Sequence, residues 1–110
     1  MNRGEIWTAA GGSDHAGKPR PVLIVQADEF DATASITVCL LTTEDIGSPL
    51  FRIEIPPAPT NGLRATSFVM VDKISSLSRE RLRQRIGLLT ATEMTAVNRS
   101  IAVFVRIGVR

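Results

Sequence analysis

The stretch that decides the fold is KPRPVLIV, residues 18–25. Two prolines bracket Arg20, and each proline fixes its own φ angle, lacks an N–H group and favours an extended conformation of the residue before it. The short aliphatic run after Pro21 predicts a buried strand. Arg20 therefore stands, permanently charged, where this strand leaves the Gly-rich loop of residues 11–17. The position suits a residue that binds phosphate, although a surface arginine that merely precedes a strand is the commoner case.

Length and composition predict one folded domain spanning residues 1–110 and exclude several classes of protein. The hydrophobic fraction of 44% is ordinary for a folded chain, and no apolar run approaches the ~20 residues of a membrane span. No apolar segment follows the polar residues 1–5, so we expect no signal peptide, no membrane partner and a cytoplasmic protein. One cysteine, Cys39, and one histidine, His15, are too few for a disulfide or a typical zinc site. We therefore expect neither a metal nor a cofactor.

Charge is distributed unevenly along the chain. Residues 1–78 carry six basic and nine acidic side chains, whereas residues 79–110 carry seven arginines and two acids. Four of these arginines occupy alternate positions of residues 79–85. Such a segment attracts nucleic acid or an acidic protein, but it is also typical of a solvated face. With four Phe, one Trp and no Tyr, the chain is not expected to bind RNA by stacking bases on an aromatic platform.

Short segments with a strand pattern, separated by turns rich in Gly and Pro, cover most of the chain. The predicted strands comprise residues 5–9, 21–26, 35–41, 51–55, 67–74 and 85–89. One helical turn is expected between the last two strands, at residues 78–82. Within the fifth strand, alternation places Met70 and Asp72 on one face and Val71 and Lys73 on the other.

A helix is expected at the C-terminal end. Thr90 and Glu93 have the spacing of a capping box, which begins a helix that extends to about residue 105. One apolar face comprises Met94, Val97, Ile101, Phe104 and Val105, and a second apolar stripe comprises Ala96, Val103 and Ile107. A second stripe predicts a homodimer, unless the helix end packs on its own core. Together the strands and this helix predict an α+β fold that is mainly β, a small, strongly bent antiparallel β-barrel with a C-terminal helix.

Polar residues cluster at the ends of several predicted strands, where they can converge on one rim. They comprise Asp14, His15, Arg20, Thr42, Thr43, Asp72 and Lys73. This set supplies cations, hydroxyl groups, carboxylates and an imidazole, which is what cleavage of a phosphodiester requires. Because RNA carries its own nucleophile, the 2′-OH, such a protein needs neither a metal nor a nucleophilic side chain. Each residue also has an ordinary reading, since threonines cap turns, Asp72 can bind a backbone amide and His15 can be a solvated loop residue.

Several motifs resemble the MazF/PemK toxins of toxin–antitoxin modules. In chain order they are RGEIW (3–7), GSD (12–14), RPVLIV (20–25), LLTT (40–43), NGL (61–63), VDKI (71–74) and RIG (85–87). The resemblance implies an SH3-like barrel, shared with the gyrase poison CcdB, and a homodimer. It also implies a metal-independent, sequence-selective endoribonuclease that cleaves single-stranded RNA by 2′-OH attack, and a cognate antitoxin that blocks the RNA groove.

The resemblance gives catalytic roles to Arg20, which would stabilise the phosphorane, and to Thr42, which would hydrogen-bond the scissile phosphate. The remaining substrate-binding residues are then expected to be Asp14, His15, Lys18, Thr43, Asp72 and Lys73. The assignment of general base and general acid stays open.

The chain departs from the family pattern at three positions. Where the PemK/Kid branch has an arginine, this chain has Met70, and where that branch has a histidine, this chain has Ser13. Lys73 replaces the glutamine of many members. The alternative function is a non-catalytic binding toxin on the same fold, either a CcdB-like gyrase poison or a degenerate toxin that only binds its antitoxin.

Overall fold

The computed structural model describes residues 1–10 and 18–108, which form six antiparallel strands and one long helix. The strands are β1 (Glu5–Ala9), β2 (Arg20–Ile24), β3 (Ser35–Thr42), β4 (Arg52–Ile55), β5 (Ser67–Ser78) and β6 (Leu82–Leu88), and the helix α1 is Ala91–Phe104. Short 3-10 turns occupy Asp28–Phe30 and Arg79–Arg81. The sheet has the order β4-β5-β3-β2-β1-β6.

The loop between β4 and β5 bridges the two edge strands of the sheet. Asn61 in this loop is buried, and its side-chain oxygen accepts hydrogen bonds from the backbone N–H groups of Ala58 and Leu63. The backbone of Asn61 lies so close to Gly87 of β6 that a Cβ atom there would approach it to 2.3 Å. The mainly β fold with a C-terminal helix is thus confirmed, with a loop rather than a ladder joining β4 to β6 in the part of the chain described.

Two apolar clusters fill the two sides of the sheet, because successive side chains of a strand point to opposite faces. Leu23 of β2 and Cys39 of β3 belong to the first cluster, on which Val97 of α1 packs. Their neighbours Val22 and Val38 belong to the second. Cys39 is buried, and burial raises the pKa of its thiol to about 12, which disfavours the reactive thiolate.

The helix begins as predicted. The Thr90 hydroxyl accepts a hydrogen bond from the Glu93 N–H at 3.0 Å, and the Glu93 carboxylate accepts one from the Thr90 N–H at 2.9 Å. Its predicted buried face is only partly buried, because Phe104 and Val105 beyond the sheet are 49% and 47% exposed. Among the described residues, no helix is both long and apolar enough to cross a bilayer.

The strand β5 extends four residues further than predicted, to Ser78, and β6 begins at Leu82 instead of residue 85. The polar sequence of residues 75–78 gives little strand signal. These residues are extended because they pair with the first half of β3, from Ser35↔Ser78 to Val38↔Ser75. Tertiary pairing thus overrides a weak local pattern.

Candidate active site

A groove of about 610 Å³ lies on the sheet face opposite α1. Its apolar floor includes Val22, Leu40 and Met70, which are consecutive cross-strand partners on β2, β3 and β5. Its polar lining includes Arg20, Thr42, Glu44, Arg52, Lys73 and Arg81. Among the described lining residues four cations thus face one carboxylate, and this balance favours an anionic ligand.

Arg20 and Thr42 lie at neighbouring ends of two paired strands. The β2–β3 ladder pairs Ile24 with Val38 and ends at Val22 with Leu40, so Arg20, the first residue of β2, and Thr42, the last residue of β3, each stand two residues beyond its last pair. Both side chains line the groove, with Arg20 exposed and Thr42 half-buried.

The hydroxyl of Thr42 is oriented by a backbone N–H group two residues further along the chain. Its Oγ1 atom accepts a hydrogen bond from the Glu44 N–H at 3.1 Å. The hydroxyl hydrogen is therefore directed away from this N–H and can be donated to another group. The groove lining thus contains both a guanidinium and a hydroxyl donor.

The other sequence-predicted site residues are placed differently. Asp14 and His15 lie outside the described residues. Lys18 and Thr43 are exposed, next to Arg20 and Thr42 along the chain, and neither lines the groove. Lys73 does line it.

A bulge in β5 places Lys73 in the groove. On β3, the adjacent residues Cys39 and Leu40 pair with Ile74 and Met70, so residues 71–73 have no partner on β3. Val71 enters the core beside α1, while Lys73 is exposed and lines the groove. The prediction that Lys73 shares a face with Val71 is therefore wrong, because a bulge breaks the alternation of a strand.

Asp72, the middle residue of this bulge, forms an ion pair with Arg52 of β4. Arg52 Nε lies 2.7 Å from Asp72 Oδ1, and Nη2 lies 3.0 Å from Oδ2. The side chains are 9% and 23% exposed, respectively. The hydrogen bonds that Arg52 donates to Asp72 lower the pKa of Asp72 and raise the pKa of Arg52. Asp72 thus stays ionised, with both carboxylate oxygens directed at Arg52.

Comparisons with known proteins identify the family of the chain. Residues 2–105 match the family of PemK-like, MazF-like toxins of type II toxin–antitoxin systems. This chain belongs to that family. The toxin is 49% identical over 108 residues to the probable endoribonuclease MazF of Mycolicibacterium smegmatis, an alignment that covers 98% of this chain and 99% of the relative. It is 32% identical to endoribonuclease MazF9 of Mycobacterium tuberculosis, over 92% of each chain.

Solved structures of such toxins have the same fold. A mycobacterial endoribonuclease in complex with its cognate antitoxin superposes with a TM-score of 0.80, covering 100% of this chain and 99% of its own at 23% identity. The Mycobacterium tuberculosis toxin MazF-mt6 superposes with a TM-score of 0.76, covering 93% of this chain and 96% of its own at 28% identity.

Sequence reasoning missed Arg52 as a groove residue of this toxin. Residues 51–55 alternate apolar and charged side chains, a pattern typical of a half-buried strand whose charged face is solvated, and Glu54 is exposed. Arg52 instead lies almost buried against Asp72. The available signal was Asp72 itself, since a carboxylate inside an otherwise apolar strand requires a hydrogen-bonding partner.

Arg81 is the second groove residue that the sequence did not single out. Its Nε and Nη2 atoms donate to the carbonyl oxygen of Ala10, at 3.1 and 2.8 Å. The other three arginines of the segment are held elsewhere, Arg79 by Thr33, Arg83 by Glu80 and Arg85 by Glu5. Of these four arginines only Arg81 lines the groove, so the basic segment does not act as one patch.

Proposed function

We propose that this toxin is an endoribonuclease that cleaves single-stranded RNA without a metal ion, by attack of the 2′-OH on the adjacent phosphate. The observation that carries the proposal is that Arg20 and Thr42 line the same cationic groove, at neighbouring ends of β2 and β3. The relatives described above are themselves named endoribonucleases.

The proposed chemistry needs stabilisation of charge more than a nucleophile from the protein. The 2′-oxygen forms a bond to phosphorus, the bond from phosphorus to the 5′-oxygen breaks, and a 2′,3′-cyclic phosphate results. The 2′-OH loses a proton and the 5′-oxygen gains one. Arg20 donates to the non-bridging oxygens, on which charge develops, and Thr42 donates a hydrogen bond that orients the same phosphate.

The rest of the groove binds the RNA on either side of the cut. Lys73 and Arg81 add positive charge along its walls, which favours a polyanion. Asp14, His15, Lys18 and Thr43 flank Arg20 and Thr42 along the chain and complete the proposed substrate-binding set. Asp72, which binds Arg52 beside the groove, belongs to the same set.

The proposal includes two protein partners and a location. The first partner is a cognate antitoxin that occupies the groove, since a structural neighbour was solved with its own antitoxin. The second is another copy of this chain, because exposed apolar side chains gather at the end of α1 and in the loop it contacts, at Leu50, Val103, Phe104, Val105 and Ile107. The activity belongs in the cytoplasm, where RNA is found.

The decisive experiment is cleavage of a long RNA in EDTA by the purified protein, beside the Arg20→Ala variant. The wild type should give discrete fragments with 2′,3′-cyclic phosphate ends, and Arg20→Ala should give almost none. Intact RNA over a range of substrates would contradict the proposal and favour a non-catalytic binding toxin. Equal cutting by both proteins would remove Arg20 from the mechanism.

A further inference from the structure

We propose that the ion pair between Arg52 and Asp72 is a positioning device, which holds the bulge of β5 so that Lys73 stands in the groove as a contact for an RNA phosphate. This inference rests on the proposed ribonuclease function. It gives Arg52 and Asp72 a role through Lys73, not at the reacting atoms.

The bulge needs an anchor because one of its two neighbouring strands does not hold it. The β3 ladder passes from Ile74 directly to Met70, which leaves residues 71–73 without a partner on that side. On the other side, regular pairing between β4 and β5 ends at Arg52↔Met70. Beyond that pair, the bulge is attached to the β4 side by the Val71 N–H, which donates to the Phe51 carbonyl at 3.0 Å, and by the Arg52–Asp72 pair.

The geometry of the pair suits an anchor. Two parallel hydrogen bonds between a guanidinium and a carboxylate fix the relative orientation of the two groups as well as their distance. Arg52 is almost buried between the groove and the core, so it cannot follow a mobile partner. With Val71 fixed in the core on one side and Asp72 fixed to β4, the next residue, Lys73, has its direction set.

The direction in which RNA affinity changes when Asp72 is removed separates this positioning role from simple electrostatics. A carboxylate beside a groove for RNA repels the ligand, so removing it should strengthen binding if charge alone matters. If Asp72 positions Lys73, removing Asp72 should weaken binding instead. A residue that only supports the fold would lower the stability without this specific loss of affinity.

The test compares Asp72→Ala, Lys73→Met and the double variant with wild type. Glu80→Ala is the matched control, because it removes the same charge from an exposed position outside the groove. The probes are an RNA that contains a mapped cleavage site and the same RNA with a 2′-deoxy nucleotide at the cut, which binds without being cleaved. Hydrogen exchange of residues 70–75 is followed on the same samples.

We expect Asp72→Ala to raise Kd and KM about tenfold, which corresponds to about 1.4 kcal/mol, and to leave kcat nearly unchanged. The slope of log affinity against log salt should become shallower by about 0.7, the value for one phosphate contact on a single strand. The double variant should bind no more weakly than Lys73→Met alone, since both changes remove the same contact. Amides of residues 70–75 should exchange faster in Asp72→Ala, and Glu80→Ala should behave like wild type.

Tighter binding by Asp72→Ala, or multiplicative effects of the two substitutions, would overturn the inference, as would unchanged exchange in the bulge. If wild type neither binds nor cleaves RNA, the proposed function fails, and the exchange data still decide whether the pair anchors the bulge. Should Asp72→Ala not fold, Asp72→Asn takes its place, because it keeps one acceptor for Arg52 and should show the same changes in smaller measure.

Discussion

Arg20 and Arg52 line the same groove but are held in different ways. Arg20 is exposed at the first position of β2, where two prolines fix the chain on either side of it. Arg52 is almost buried in β4, with two of its nitrogens bound to Asp72. The comparison teaches that lining a groove does not give two identical side chains the same task. An exposed guanidinium on a rigid backbone suits a ligand, whereas an almost buried guanidinium suits the architecture around the ligand.

The largest effect should come from Arg20. Arg20→Ala should lower kcat by about 10²–10³, by analogy with the loss of one oxyanion-hole donor, which costs roughly 2.7–4 kcal/mol. The free energy of unfolding should fall by no more than about 1 kcal/mol, since Arg20 is exposed and water screens the contacts of an exposed charge. Arg20→Lys keeps the charge but not the planar fork, so its kcat should lie between those of wild type and Arg20→Ala. Single-turnover cleavage and urea unfolding measure the two quantities, and a loss in kcat under tenfold would remove the role given to Arg20.

Substituting Arg52 should affect the free energy of unfolding more than kcat, the reverse of what is expected for Arg20. Arg52→Met should lower the free energy of unfolding by about 1–3 kcal/mol, because it leaves the half-buried Asp72 carboxylate without its partner. Its effect on kcat should be smaller than that of Arg20→Ala, since Arg52 does not act on the scissile phosphate. Urea unfolding of the two variants side by side tests the contrast. If Arg52→Met is as stable as wild type and as slow as Arg20→Ala, the division of tasks between the two arginines is wrong.

Sequence alone predicted the Arg20 side of this comparison and not the Arg52 side. The prolines beside Arg20 and the capping box of Thr90 and Glu93 act over a few residues, so their structural consequences can be read locally. The Arg52–Asp72 pair joins residues 20 positions apart along the chain. It depends on the register of β4 on β5 and on the bulge, and alternation along either strand carries no signal for these features.

Acid should reduce the difference in the free energy of unfolding between wild type and Arg52→Met. Arg52 lowers the pKa of Asp72 below its ordinary value of 3.8, so the pair stabilises the folded state fully at pH values above 3.8. This contribution is lost as the pH falls through the lowered pKa, because protonated Asp72 no longer forms the ion pair. Unfolding free energies of both proteins at pH 7, 5 and 3 should therefore converge only at the acid end. A difference that stays constant over this range would show that Arg52 stabilises the fold by packing and not through the charge of Asp72.

The smallest effect is expected at a more exposed ion pair of the sheet, between Arg85 and Glu5. Arg85 Nε lies 3.1 Å from Glu5 Oε2, but the Arg85 side chain is 47% exposed, so water competes for it. Glu5 also accepts hydrogen bonds from Trp7 Nε1 and from the Asn2 N–H, which remain when Arg85 is removed. Burial raises the pKa of Glu5, but these hydrogen bonds and Arg85 outweigh it and keep the pKa below its ordinary value. Arg85→Gln should therefore lower the free energy of unfolding by no more than about 1 kcal/mol and leave RNA cleavage unchanged. Arg85→Gln and Arg52→Gln remove the same charge, and each breaks one ion pair. Equal losses of stability in the two variants would mean that neither burial nor the two parallel hydrogen bonds make the Arg52–Asp72 pair the stronger one.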